Sequence, residues 1–291
     1  MFSRTQTAWL TVFFGCFVVF LYGPVLSIIL LAFQGPEGGL TFPMRGVSLH
    51  WFEELWRGLG VVDISRALRR SLFLGVLVMI FTVVLSLCAG LAFRKKFRGS
   101  GLLFYLTIAS LIIPSIAISL GIALQFRLLD ETIKWLGQTL EIQWIVNDFQ
   151  TSMGLIASGL GTHLTWTLPF GLLIMFAVFN RFNPGYEEAA RDLGATPWQT
   201  FWGVVFPLIA PALVGVALFG FTLSYDELAR SSQALGAVNT LPLELRGLTT
   251  TVTNPSIYAL GAVTTGVSFL VIGISLALFW ALRRKIGTGR R

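Results

Sequence analysis

Charge is what this chain has least of. Asp, Glu, Lys and Arg together make up only 12% of its 291 residues, and two cysteines and two histidines complete a sparse set of reactive side chains. No Cys/His cluster suggests catalysis, and with two thiols and two imidazoles a metal enzyme is not expected. Cys16 and Cys88 fall inside apolar runs and read as small buried thiols. No H-E-x-x-H or G-x-S-x-G segment offers catalysis, and no cofactor is expected. A G-x-x-x-x-G-K-[ST] phosphate loop is also missing, so the chain cannot bind and hydrolyse ATP by that route on its own. Any energy for its work must come from a partner. Low-complexity tracts and a polar stretch long enough for a soluble domain are absent too, which leaves one membrane domain over 1–291 with a core at about 65–282.

What remains is apolar: 55% hydrophobic residues, 25 Phe, and a mean hydropathy of +0.77. That composition suits a lipid solvent. A helix needs about 20 residues to cross a hydrocarbon core of ~30 Å. Six runs qualify, at 8–33, 71–93, 102–124, 153–179, 208–225 and 257–282. They are too long and too continuously apolar for the alternating strands of a barrel, so an all-α membrane protein with six transmembrane helices is expected. The first run exceeds a usual signal-peptide core, holds Pro24 and lacks an A-x-A-like cleavage site, which makes it a helix.

Lys and Arg near span ends resist translocation. With the N- and C-termini placed in the cytoplasm, the inner segments carry a net +9 and the outer ones −2, within an overall +7. Arg66, Arg69 and Arg70 before the second span run against that pattern. The basic residues flank spans and form no folded basic face, so no nucleic acid partner is implied; membrane lipid is.

Between the spans, Ser48–Trp56 predicts a short interfacial helix with Leu49, Phe52 and Leu55 or Trp56 on one face and the lone His50 beside it. The segment 125–152 predicts one amphipathic surface helix. The segment 180–207 is different in kind. Asn183 and Pro184 give a cap and a proline at the first helical position, and Glu187 and Glu188 suit the positive end of that helix. Gly194 can close the helix in the left-handed conformation. Thr196-Pro197-Trp198-Gln199 then reads as a capping box that opens a second helix toward Pro207. Two separately capped helices around a sharp turn make a stiff elbow.

Glu188-Ala189-Ala190, three residues, Gly194, nine residues, then Val204-Val205-Phe206-Pro207 resembles the EAA signature of ATP-binding-cassette importer permeases, with Val and Phe where Ile and Leu are usual. That resemblance implies the type I importer permease fold, and it implies that the elbow is a coupling helix pair seated on an ATPase subunit. Glu187, Glu188, Ala189, Ala190, Asp192, Gly194 and Ala195 would be its coupling residues. The implied partners are two ATPase subunits, a second permease subunit, a related chain, and an extracytoplasmic solute-binding protein. Ser48–Phe52, Pro114, His163, Pro169, Phe221–Glu227 and Thr240–Leu243 are similar to the spermidine/putrescine permease branch. A polyamine or another small cationic or amino compound is the substrate this implies, although opine, phosphonate, thiamine and iron importers share much of the pattern.

Asp226 and Glu227 are adjacent acids at the end of the fifth span. They read either as lining the path, with Tyr225, His163 and Trp166, or as sitting in headgroup water. Arg230 is at the i, i+4 spacing to pair with Asp226. His163 lies among Thr162, Thr165 and Thr167, where packing against neighbouring helices is favoured over a substrate contact. Pro114 and Pro169 are expected to kink their spans. A secondary transporter or channel would show paired half-chain repeats, and the two halves share no evident pattern.

Overall fold

The structure, a computed structural model of the chain, describes residues 3–58, 63–95, 97–151, 153–251 and 254–288. The described residues are helical almost throughout. They form α1 (Arg4–Leu31), α2 (His50–Arg57), α3 (Ile64–Phe93), α4 (Ser100–Ala109), α5 (Ser115–Thr139), α6 (Gln143–Asn147), α7 (Leu160–Arg181), α8 (Gly185–Asp192), α9 (Pro197–Thr200), α10 (Phe206–Tyr225), α11 (Ser231–Ala234), α12 (Leu241–Thr251) and α13 (Ser256–Thr288). An isolated antiparallel β-bridge joins Gln34 to Val47.

Among the described residues five helical stretches are long and apolar enough to cross a membrane: Arg4–Leu31, Ile64–Phe93, Leu155–Arg181, Pro197–Tyr225 and Ser256–Ala281. The expected third span, 102–124, is not one helix. It breaks between α4 and α5 at Pro114, which has no N–H for the helical ladder and whose ring crowds the preceding turn; its φ of −53° would suit a helix, but its ψ of 132° is extended. The turn closes with short-range bonds, Leu111 N–H to Ile108 O at 2.9 Å and Ile112 N–H to Ala109 O at 3.0 Å. α5 then runs on to Thr139 and absorbs the surface helix expected in the following loop. Pro169 instead stays within α7.

The fifth span also starts earlier than its apolar run suggests. α9 passes without a loop through a π-helical turn (Phe201–Val205) into α10. The Phe206 N–H reaches Phe201 O, five residues back, just before Pro207 removes a donor. The second arm of the elbow and the fifth span are therefore one continuous helical rod of 29 residues, about 43 Å along its path. A similar π turn (Leu155–Gly159) opens the span that contains α7.

The chain divides into two compact units, residues 1–66 with 244–269, and residues 67–243 with 270–291. In the first, α1 opens with a Ser3/Gln6 capping box and leaves Phe13 and Phe20 more than 70% exposed, as a lipid-facing helix requires. The buried Gln34 carboxamide donates to Gly39 O at 3.0 Å and accepts from Arg45 N–H at 2.9 Å, which folds the loop after α1. α2 forms where expected, but its buried face differs. Trp51 and Leu55, one turn apart, are buried, while Leu49 and Trp56 point outward. The indole packs with Ala32 and Ala259, small residues that admit its bulk.

In the second unit α3, α7 and α10 share a core of Met175, Val205, Ile209, Leu213 and Val216. Lipid gives helices no hydrophobic reason to associate, so close packing has to hold them together. A methyl at Gly171 would fall 2.1 Å from Ser86 Oγ, and one at Gly220 would fall 3.2 Å from the Met79 backbone. Thr82 and Thr167 add a hydroxyl pair at 2.7 Å between α3 and α7.

Candidate functional site

Two constructions in the second unit gather the residues singled out in the sequence. One is the elbow. Asn183 Oδ1 accepts the Gly185 N–H at 3.0 Å, but α8 starts one residue later than expected: Pro184 holds the cap position, where it has no side chain to bond the first turn. At the other end Gly194 is left-handed (φ +84°). The Gly194 N–H donates to Arg191 O at 2.8 Å and the Ala195 N–H donates to Ala190 O at 3.0 Å. That pair of bonds is a Schellman closure. Thr196 and Gln199 then cap α9 reciprocally, at 2.8 and 3.3 Å. No segment of the bend lacks a local reason for its shape.

Consecutive helical residues point about 100° apart, and here this separates the two glutamates. Glu187 turns inward, its side chain only 13% exposed, and accepts from Arg94 Nη1 at 2.7 Å. The Arg94 guanidinium also lies 5.2 Å from the ring centres of Phe179 and Phe182. Glu187 thus anchors the elbow to the end of α3. Glu188, Ala189, Asp192 and Gly194 are exposed, and Ala190 and Ala195 are half-buried. Beside them stand Leu193, 90% exposed, and Trp198, 71% exposed. Together they give the bend an exposed apolar surface that a partner can cover. Nothing in the sequence context of Arg94 marks it as a brace.

The other construction is a polar knot around Arg230, which is fully buried. Its guanidinium does not pair with Asp226 as the spacing suggested. Nε donates to Ser115 Oγ at 3.2 Å, Nη1 to Thr165 Oγ1, and Nη2 to Ser110 O at 3.0 Å. The cation also sits 4.8 Å from the centre of the Trp166 ring. Ser119 donates to the Arg230 carbonyl at 2.8 Å, and Glu227 Oε1 accepts the Arg230 N–H at 2.8 Å. One side chain therefore ties the α4–α5 turn, α7 and the segment after α10 together.

His163 is buried in the same region, 2.8 Å from Ser224 Oγ and 2.9 Å from Ser231 Oγ. Ser231 gives its proton to Glu227 O at 2.6 Å, so it can only accept from His163 Nε2–H. Through Ser224 and Ser231 the ring bridges α7 to the end of α10 and to α11. Tyr225 is buried and stacked on Phe221 at 5.5 Å, and its hydroxyl has no partner. Asp226 is exposed and Glu227 half-buried, so of the acid pair only Glu227 joins the knot. The serines at 110, 115 and 119 were missed in the sequence because lone hydroxyls in an apolar run carry no pattern. Farther along α5, Asp130 accepts from Thr151 N–H at 2.8 Å and meets Lys134 at 3.0 Å, and these two hold its carboxyl below the usual carboxylate range.

Long apolar helices with an elbow that presents alanines and an acid mark an integral membrane protein. The profile of the family described as "Binding-protein-dependent transport system inner membrane component" matches residues 82–284, and the chain belongs to that family. It is a multi-pass inner-membrane permease subunit of an ATP-binding-cassette importer. It is non-catalytic, and the ATPase is a separate subunit. Membership implies an ATPase and a solute-binding protein as partners.

Among curated relatives, the putrescine transport system permease protein PotI of Escherichia coli K12 is 27% identical over 269 residues, covering 91% of this chain and 87% of that protein. The spermidine/putrescine transport system permease protein PotC of Haemophilus influenzae is 27% identical over 267 residues, covering 89% and 92%. Similar solved structures include the MetNI methionine ABC transporter in inward-facing conformations, with TM-score 0.55, 18% identity, and 75% and 95% coverage. A bacterial ABC transporter that imports the acidic polysaccharide alginate gives TM-score 0.57, 15% identity, and 100% and 99% coverage. These two share the fold.

Proposed function

We propose that the chain forms half of the translocation path of an importer for a small polyamine-like cation. A second, related permease chain forms the other half, two ATPase subunits engage the elbows, and a binding protein delivers cargo at the far face. The observation that carries this reading is the elbow: a bend fixed by its own caps, continuous with a spanning rod, and showing Glu188, Ala189 and Leu193 to solvent. Glu188, Ala189, Ala190, Asp192, Gly194 and Ala195 meet the ATPase, while Glu187 anchors from behind. ATP-driven closure would move each elbow as a lever and tilt its rod, switching the path between inward-facing and outward-facing forms.

In this reading α4, the Pro114 turn and the start of α5 together make the third of six crossings, and both termini are cytoplasmic. The positive-inside balance supports that orientation. The relatives named for putrescine and spermidine support a polycation as cargo. The exposed Asp226 at the end of the rod would meet cargo at the path's outer end, while Tyr225 and His163, both buried, would stay behind it.

The test is uptake into proteoliposomes. Putrescine or spermidine should accumulate only with ATPase, ATP and binding protein all present; uptake without the ATPase would make the chain a secondary transporter. Asp226→Asn combined with Glu227→Gln keeps the acceptor that caps Arg230. Uptake of the dication should fall about tenfold, the effect of losing roughly 1.4 kcal/mol of attraction, with ATPase activity retained. Unaltered uptake would return both acids to the headgroup layer.

A further inference from the structure

Inside the bend of the elbow lies a cavity of about 380 Å³ whose wall includes Arg94, Lys95, Glu187, Arg191, Thr200 and Phe201. Its charges do not balance. Glu187 is shared between Arg94 at 2.7 Å and Arg191 at 3.8 Å, and Lys95 has no acidic partner among the described residues. Three cations and one carboxylate line it, with Lys95 and Arg191 at its exposed rim and Arg94 and Glu187 deeper in. A second observation is independent of charge. Thr200 is 3% exposed and its hydroxyl has no hydrogen-bond partner. A helical threonine ordinarily donates to the carbonyl four residues back, and this one does not. Buried hydroxyls are seldom left so, and an orphan at the wall of a basic cavity points to a missing acceptor.

The acceptor these groups fit is a phosphate. It brings one to two negative charges against an excess of two positive ones, and oxygens for an arginine fork, a lysine and a hydroxyl together. A carboxylate has one charge and two oxygens, and leaves the set short. We propose that this cavity binds a phosphate group, from a soluble phosphate or from an anionic lipid headgroup, and that the bound anion cross-links the end of α3 to α8 and α9. The elbow would then be stiffer when the site is filled. The proposal does not depend on which solute the importer carries.

The test uses the permease purified with its ATPase in a maltoside detergent free of phosphate, read by thermal melting. One arm titrates inorganic phosphate against chloride at matched ionic strength. The other titrates phosphatidylglycerol against uncharged diacylglycerol. A saturable rise in melting temperature is expected in one arm, and that arm identifies the source. Thr200→Val should raise the half-saturating concentration about tenfold, and the exposed Lys95→Gln should raise it by a smaller factor. Without either anion, Thr200→Val should melt no lower than the unaltered protein, because it removes only an orphan hydroxyl. No saturable rise in either arm, or a rise that both variants leave unchanged, would overturn the proposal. So would a Thr200→Val protein that melts lower with no anion present, since its hydroxyl would then have a protein partner.

Discussion

Gly194→Val should disconnect ATP hydrolysis from transport while leaving the protein inserted and assembled. The residue sits at φ +84°, and a methyl there would meet nothing within 4 Å. The cost of a side chain is therefore conformational and not steric crowding by neighbours. An L-residue in the left-handed region costs about 1–2 kcal/mol, and a β-branched one is a genuine outlier there. The cheapest relief is to rotate the residue out of that region, which breaks the Ala195 to Ala190 and Gly194 to Arg191 bonds and lets α8 swing relative to the rod. Ala190 belongs to the signature itself, so the presented face deforms with it. ATP-dependent uptake is expected to drop about tenfold or more, each 1.4 kcal/mol being a factor of ten, with ATPase activity retained. Gly194→Asn should keep much of the uptake, because Asn tolerates the left-handed region. Equal uptake for Val and Gly would mean that the bend transmits nothing.

Arg230→Met should cost the second unit more stability than any single change at the acid pair. Methionine fills much of the stem volume but leaves Ser110 O, Ser115 Oγ and Thr165 Oγ1 without their donor. Orphaning a buried partner costs about 1–3 kcal/mol. Thr165 and Ser115 can rotate toward other acceptors, while the Ser110 carbonyl cannot move without opening the α4–α5 turn. A loss of about 2–4 kcal/mol overall follows, read as a fall of several degrees in the melting temperature of the purified complex. Arg230→Lys keeps the charge but not the fork, and should fall between. Asp226→Asn should not shift the melt, since Asp226 does not hold the guanidinium. Matching losses for Asp226→Asn and Arg230→Met would restore the ion pair that their spacing suggested.

That spacing shows where sequence reading stops. The i, i+4 rule belongs to helices, and the helix ends at Tyr225. Residues 226–230 turn away, so Arg230 folds back toward the Pro114 turn. The Pro114 break itself was half legible: a kink was expected, but hydropathy counts residues and does not weigh a missing amide, so 102–124 read as one span. The elbow was far more legible, because each of its signals is local. Asn183, Gly194 and the Thr196/Gln199 box act within four residues of themselves and need no tertiary context. Which of Glu187 and Glu188 faces inward is not local. It depends on Arg94, 93 residues away along the chain, and no pattern in either segment announces the pair. The permease fold was readable from its spans and elbow, whereas the polar knot was assembled by long-range contacts among single serines and threonines.

The central claim is that the elbow is the cytoplasmic seat of the ATPase. A cysteine at Leu193, the most exposed large apolar residue of the bend, tests it once Cys16 and Cys88 have been replaced by serine. In the assembled complex, a short thiol cross-linker should join position 193 to a cysteine in the ATPase groove, with a yield that changes when ATP is added. A thiol reagent that cannot cross the membrane should label it only after the cells are broken. Labelling of intact cells from outside, or no cross-link in a complex that still transports, would contradict the account.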